Sequence, residues 1–359
     1  MEGYDSVALN CQFIKGKVRK IRWQSQSGGA FRDIRSENFV TGTWDSARNS
    51  VSLWRCIPPA NSADHSTTDI LRERFAPVTE CAVSGDVTDL AFVDERALLV
   101  STSKGDLLLL QIASDNSLST QSKWAKLHRG GISSFSVCGS DVATGGEDGQ
   151  IRILNLDRAA SLDQLSAENQ LVGASVFCLQ HYTQTQVVAG TAASQLQLWD
   201  FRSGTEEPSL SASIAVSASV SNAVTSLACH PAQSHLVALG TQNGQVAFLD
   251  LRQTQSVAAL LDVHTGPVWQ VGFHALYPDN CFSCSDDGSL VHWDATRLKQ
   301  TALGSSPWLS GDSVADKLKL TNLLSEQVLS VNCFDVSGDN LLAGTDSQSV
   351  YLLSNLILR

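Results

Sequence analysis

The sequence contains no run of about 20 apolar residues, so no segment can cross a bilayer as a helix. Positive charge is scarce as well: 25 Lys and Arg stand against 36 Asp and Glu in 359 residues, a net charge of −11. That balance opposes attraction to nucleic-acid backbones and anionic membranes. The one basic stretch, Lys15, Lys17, Arg19, Lys20 and Arg22, reads as a solvated strand face. The opening residues lack the charged and apolar regions of a signal peptide, and no N-x-[ST] sequon occurs. These absences predict a chain kept away from the secretory route.

Nine cysteines, an odd number, show no disulfide-framework spacing. Cys281 and Cys284 have the C-x-x-C form but fall in a strand, where an offset of three puts side chains on opposite faces. Reduced thiols in a cytosolic or nuclear protein are therefore expected, with no metal site and no redox pair. No G-x-x-x-x-G-K-[ST], G-x-S-x-G or H-E-x-x-H motif occurs. His230 and His274 fall at turns without a carboxylate or thiol cluster beside them, and Asp286-Asp287 suits a hairpin turn better than acid–base work. The expectation is a chain without enzymatic activity, cofactor or small-molecule substrate.

What is present is a repeat. GSLVHWD ends at Asp294, SQLQLWD at Asp200, GQVAFLD at Asp250 and GQIRILN at Asn155, with looser copies NSVSLWR, GDLLLLQ and QSVYLL. The residue in the Trp slot is Trp54, Leu110, Leu154, Trp199, Leu249, Trp293 and Leu353, giving spacings of 56, 44, 45, 50, 44 and 60. A period near 44 with a Trp-Asp ending is that of a WD-repeat β-propeller, one four-stranded blade per unit. Residues two apart share a chemistry within each copy, as in a strand. Asp148-Gly149, Asn243-Gly244 and Asp287-Gly288 precede the strand and suit a tight turn.

The predicted fold is thus all-β, a single seven-bladed WD-repeat β-propeller over 1–359. Its expected blades are 17–84, 85–128, 129–170, 171–216, 217–264, 265–327 and 328–359. The last blade has residues for three strands only. Its outer strand is expected from 1–16, where Leu9, Cys11 and Phe13 alternate with Asn10, Gln12 and Ile14. Such a closure removes exposed sheet edges. Polar stretches at 58–69, 203–213 and 300–316 read as loops, with Leu71, Phe75 and Val78 resuming a strand after the first and KLKLTNLL (317–324) after the last.

One blade resembles the side-chain network of WD repeats more fully than the rest. His264 precedes its first strand, Ser283 or Ser285 lies on the second, Asp287 in the turn and Trp293 on the third. His, hydroxyl, carboxylate and indole N–H can bond in sequence there, and the expected role is structural, since buried polar groups left unpaired cost about 1–3 kcal/mol each. Trp308, a large aromatic in a polar loop, is either tucked against the blade or a candidate partner contact. Arg202 is a second candidate: WDFR (199–202) and LDLR (249–252) resemble the W-D-x-R box of substrate receptors for cullin-type ubiquitin ligases, an alternative function.

Across the chain, RKIRW (19–23), VTGTWD with SVSLW (40–54), GDVTDLAF (85–92), GGEDGQI (145–151), LQLWDFR (196–202), CSDDGSLVHWDA (284–295), LSVNCFDV (329–336) and GTDSQSVY (344–351) recur in order. These resemble the nucleoporin forty-three family, WD-repeat members of the Y-shaped scaffold subcomplex of the nuclear pore. The resemblance implies a scaffold role: docking on an α-solenoid nucleoporin of the short arm and supporting pore assembly, mRNA export and protein transport. It also implies a place at the nuclear envelope and, in mitosis, at the kinetochore, with protein partners and no direct nucleic-acid contact. The chain contains no Phe-Gly dipeptide, unlike the disordered barrier nucleoporins.

Overall fold

A computed structural model describes residues 7–24, 37–57, 74–157, 170–171, 173–202, 207–213, 222–252, 259–296, 307–309, 318–325 and 329–358. Loop 58–69, Leu71, residues 203–206 and most of 300–316 lie outside the described residues.

The strands follow in chain order. β1 is Ala8–Phe13. The first sheet holds β2 (Lys17–Trp23), β3 (Asn38–Trp44), β4 (Asn49–Cys56) and β5 (Phe75–Val83). The second holds β6 (Val87–Phe92), β7 (Ala97–Thr102), β8 (Leu107–Ile112) and β9 (Leu118–Trp124). The third holds β10 (Ile132–Cys138), β11 (Asp141–Gly146), β12 (Gln150–Asn155) and β13 (Gln170–Leu171). The fourth holds β14 (Val176–Thr183), β15 (Gln186–Thr191), β16 (Gln195–Asp200) and β17 (Leu210–Ser213). The fifth holds β18 (Val224–Cys229), β19 (Leu236–Thr241), β20 (Gln245–Asp250) and β21 (Ala259–Asp262). The sixth holds β22 (Val268–Phe273), β23 (Asn280–Ser285), β24 (Leu290–Asp294) and β25 (Lys319–Leu324). The seventh holds β26 (Val331–Ser337), β27 (Asn340–Thr345) and β28 (Ser349–Ser354), with β1 as its outer strand. Six four-stranded sheets of consecutive strands and a seventh completed by β1 make the chain an all-β, seven-bladed β-propeller.

The turns that align these strands share one backbone requirement. Between second and third strands the chain enters the left-handed region at Gly149, Ser194, Gly244, Gly288 and Gln348. At Gly244 (φ 84°) a Cβ would stand 2.1 Å from the His264 carbonyl oxygen, so no other residue fits that turn unshifted.

The chain divides into two compact units. The first comprises Met1–Val100, Leu108–Lys123 and Cys333–Ile357. One of its cores joins Val40, Val51 and Leu53 to Val87, Leu90, Leu98 and Leu110; another joins Ile21, Phe39 and Phe75 to Cys333, Leu342 and Val350. Here β1 pairs with β28 in unbroken register from Ala8↔Ser354 to Phe13↔Ser349. The alternation expected of this strand is present: Leu9 (53% exposed), Cys11 and Phe13 (75%) face out, while Asn10 and Gln12 are half-buried and Ile14 is buried. Gln12 shows what holds that face inward. Its Oε1 accepts the N–H groups of Arg74 and Phe75, both at 2.8 Å, and its Nε2 donates to the Phe75 carbonyl at 2.9 Å. The inward polar side chain thus ties the last sheet to the start of β5.

The second unit comprises Ser101–Leu107, Trp124–Asn332 and Leu358–Arg359. Its largest core gathers Phe248, Val268, Val271, Trp293, Leu318 and Trp308. The polar run at 203–213 is not all loop, because its last four residues form β17, paired to β16 from Gln195↔Ser213 to Leu198↔Leu210. β13 is only two residues long and crosses the boundary expected at residue 170.

Candidate functional site

The sixth sheet holds the predicted polar series. His264 leads into β22, Ser283 sits on β23, Asp287 and Ser289 flank the β23–β24 turn, and Trp293 lies on β24 opposite Cys281. The Trp293 Nε1–H donates to Ser283 Oγ at 2.9 Å, and that oxygen is 2.7 Å from His264 Nε2. On the far side of the ring, His264 Nδ1 is 2.8 Å from Ser289 Oγ, whose O–H donates to Asp287 Oδ1 at 2.6 Å.

These contacts fix the protons. Ser289 gives its hydrogen to the carboxylate, so it accepts from His264 Nδ1–H. The imidazole Nε2 is then bare and accepts from the Ser283 hydroxyl, which accepts in turn from the indole. Every donor points one way, toward Asp287, and every polar atom of a neutral histidine is satisfied. Burial lowers the His264 pKa against the pull of Asp287, in keeping with that neutral state. Burial works to raise Asp287, but hydrogen bonds led by those of the Ser289 hydroxyl and the Thr265 and Ser289 amides act against it, and the carboxyl lies below its ordinary value.

Ser289 was not among the predicted residues, and it stands between His264 and Asp287, whose closest atoms are 3.4 Å apart. Of the two candidate hydroxyls, Ser283 joins the series; Ser285 donates instead to the Gly266 carbonyl at 2.9 Å. A hydroxyl, an imidazole and a carboxylate in series have the outline of a nucleophile–base–orienter set. Ser283 and Ser285 are fully buried, however, and the Ser283 oxygen already holds the indole N–H, so no reacting atom can approach it.

A second series, unforeseen from the sequence, occupies the third sheet. His128 Nδ1 lies 2.8 Å from Asp148 Oδ1, and Nε2 lies 2.9 Å from Thr144 Oγ1. Leu154 stands where Trp293 does in the sixth sheet. The missed signal was an offset: His128 precedes the Asp-Gly turn of its repeat by about as much as His264 does.

Trp308 lies in a single 3-10 turn, Pro307–Leu309, and is fully buried. Its ring centroid is 4.8 Å from that of Phe248 and 5.5 Å from that of Phe273. The indole is packed in the core of the second unit, which is the tucked placement of the two expected. Arg202 is exposed, with 69% of its side chain accessible. Its guanidinium folds back on Asp200 through Nη2–Oδ2 at 2.8 Å and Nε–Oδ1 at 3.2 Å, and Arg252 grips Asp250 in the same way. The Arg202 side-chain hydrogen bonds lead the causes that hold Asp200 below the usual carboxylate range.

Cys281 and Cys284 are both buried in β23, and burial pushes the Cys281 thiol up to about 12. Such a thiol stays protonated and is a poor nucleophile and ligand. His230 and His274 are buried at turns, each accepting two backbone N–H groups on Nδ1, from Ala232 and Gln233 and from Leu276 and Tyr277. Among the described residues no three His, Cys, Asp or Glu side chains are grouped to hold a metal ion.

In sequence the chain is similar to known proteins. The family model of the nucleolar protein 10-like N-terminal domain, a β-propeller, matches residues 128–350. Nucleoporin Nup43 of Mus musculus is 30% identical over 394 residues, covering 97% of this chain and 99% of the relative. Nucleoporin Nup43 of Homo sapiens is 30% identical over 396 residues with the same coverage. The nuclear pore complex protein nup43 of Dictyostelium discoideum is 26% identical over 153 residues, 42% of this chain and 34% of the relative.

Proposed function

The chain belongs to the Nup43 family of nucleoporins, its propeller being of the nucleolar protein 10-like N-terminal type, and on that premise we propose that it is a structural scaffold subunit of the nuclear pore. It docks on an α-solenoid nucleoporin in the short arm of the Y complex. There it supports pore assembly, mRNA export and protein transport, and it follows the complex to the kinetochore in mitosis. The observation that carries this reading is likeness over the whole chain, 97% of it at 30% identity, to proteins named as nucleoporins.

The chemistry of the sheets supports a non-enzymatic role. The polar series of the third and sixth sheets are sealed inside them and every proton in them is committed to a fixed partner, so they hold the fold together. A scaffold offers surface where an enzyme offers a reactive cleft.

Capture of the tagged protein from cells, followed by crosslinking of the purified assembly, tests the reading. Recovery of Y-complex nucleoporins, with crosslinks to an α-solenoid subunit, is the expected result. Recovery of a cullin adaptor in their place, lost on Arg202→Ala, overturns it in favour of the ligase-receptor alternative.

A further inference from the structure

The outer strand of a sheet leaves a row of backbone N–H and C=O groups unpaired, and such edges are guarded by charge, proline, a bulge or brevity. Among the described residues six of the seven outer strands carry a guard of this kind. β5 exposes Pro77 and Glu80 and pairs with β4 across a bulge between Leu53 and Trp54. β9 exposes polar residues, Lys123 among them. β13 has two residues, and β17 and β21 have four each. β25 begins at Lys319 and pairs with β24 across a bulge between Leu290 and Val291. β1 has none of these: its six residues, ALNCQF, hold no charge and no proline and pair with β28 without a break. Phe13, at 75%, is the most exposed large apolar side chain among the described residues.

The register decides which residues turn toward the open edge. Ile14 N–H donates to the Gln348 carbonyl at 2.8 Å, and hydrogen-bonded positions alternate along an antiparallel ladder, so Asn10 and Gln12 spend their backbone groups on β28. Leu9, Cys11 and Phe13 then direct their N–H and C=O groups outward, and the side chains of the same three residues are exposed. The three hydrogen bonds of Gln12 and the buried Ile14 fix the strand from its other face, so the edge is formed in advance of any partner. Just beyond the strand Lys15 is exposed and makes no ion pair among the described residues.

We propose that β1 is the docking edge for an extended apolar segment of a protein partner, added as a further strand to the seventh sheet. Main-chain pairing supplies the affinity, and Leu9 and Phe13 select apolar residues two apart on the incoming chain. Charge sets the rest of the partner's chemistry. From Ala8 to Ile14 the strand holds nothing to neutralise a charged residue, whereas Lys15 can take an acidic one at the end of the segment. A second copy of this chain suits the edge less. Another β1, paired antiparallel about Cys11, sets Val7 and not an acid opposite Lys15, and each copy carries a net charge of −11. Two such strands alone also fall short of the roughly 1,000 Å² that a stable interface needs. The strand contact is additional to the α-solenoid of the scaffold reading and does not depend on it.

Fluorescence anisotropy of a labelled peptide, valine alternating with threonine and one glutamate at its end, titrated with the full chain, tests the edge. Saturable binding is expected, with slowed amide hydrogen exchange at Leu9, Cys11 and Phe13. Phe13→Lys should weaken it about tenfold, Leu320→Lys should leave it unchanged, and a peptide N-methylated at alternate amides should not bind. Lys15→Gln should weaken the glutamate peptide but not its glutamine counterpart. Cys11→Pro removes an outward N–H that β28 does not use and should abolish binding. Should that variant fail to fold, Phe13→Lys and the N-methylated peptide carry the test, because neither removes a hydrogen bond of the fold. Absence of saturable binding, or equal binding across the variants and peptides, would overturn the assignment. So would a concentration-dependent dimer in analytical ultracentrifugation that Phe13→Lys abolishes, which gives the edge to a second copy.

Discussion

The third and sixth sheets solve the same problem with different parts. Both bury a histidine between a hydroxyl on the second strand and an aspartate in the following turn, and both keep the imidazole neutral. In the sixth sheet Ser289 is interposed before the carboxylate and Trp293 supplies a further donor. In the third, His128 meets Asp148 directly and Leu154 fills the Trp position. The polar series therefore survives without the tryptophan, whose separate contribution is packing: the indole is fully buried against Phe248, with ring centroids 5.9 Å apart. The Trp-Asp ending by which such repeats are recognised marks core volume, and the histidine marks the network.

That separation can be broken experimentally. Trp293→Ala is expected to have the largest effect, about 3–5 kcal/mol in urea unfolding, and to exceed Leu154→Ala, because more buried volume is removed. The second comparison is Asp148→Ala against Asp287→Ala. Losing Asp148 strands the His128 Nδ1–H and the Arg129 amide, about 2–3 kcal/mol, whereas His264 retains Ser289 as an acceptor after Asp287 is lost, so about 1–2 kcal/mol is expected. Equal losses would show that the interposed serine does not insulate the histidine.

Acid provides the third test. Burial lowers the pKa values of His128 and His264, and takes His230 and His292 down to about 4. A histidine with a depressed folded-state pKa contributes stability that is complete above its unfolded value of about 6.5 and is lost as pH falls below it. Between about pH 6.5 and 4 the unfolded chain binds more protons, so the melting temperature should fall through that window. His292 alone accounts for on the order of 2 kcal/mol at pH 5. His292→Gln, which can keep a hydrogen bond to Asn280, should flatten the profile; an unchanged profile would count against a neutral buried ring. The smallest effect is expected for Arg202→Ala. Among the described residues its exposed guanidinium is tied to Asp200, and the urea midpoint should stay at that of the parent.

Much of this was legible because strand period and turn chemistry are local. The Trp-slot positions fall on the third strands, and the Asp-Gly and Asn-Gly pairs sit in the turns before them, where glycine takes the left-handed backbone at no steric cost. His264, Ser283, Asp287 and Trp293 could be named together because each lies at a fixed offset from such a turn. Ser289 was hidden, since a serine two residues past a turn aspartate is commonplace and its role depends on where a ring from another segment arrives. The sense of β1 was hidden for a similar reason: alternation shows that a strand has two faces, but three hydrogen bonds from Gln12 decide which one is inward. Trp308 lay in a polar stretch with no periodicity, and its partners in the core, Phe248 and Phe273 among them, are distant in sequence.

The central claim is that the histidine–hydroxyl–carboxylate series supports the fold of a scaffold and performs no chemistry. Melting of His264→Gln, paired with capture of nucleoporin partners by the same variant below its melting temperature, tests it most directly. A lowered melting temperature with undiminished capture is the expected result. An unaltered melting temperature, or loss of capture by a fully folded variant, would contradict it.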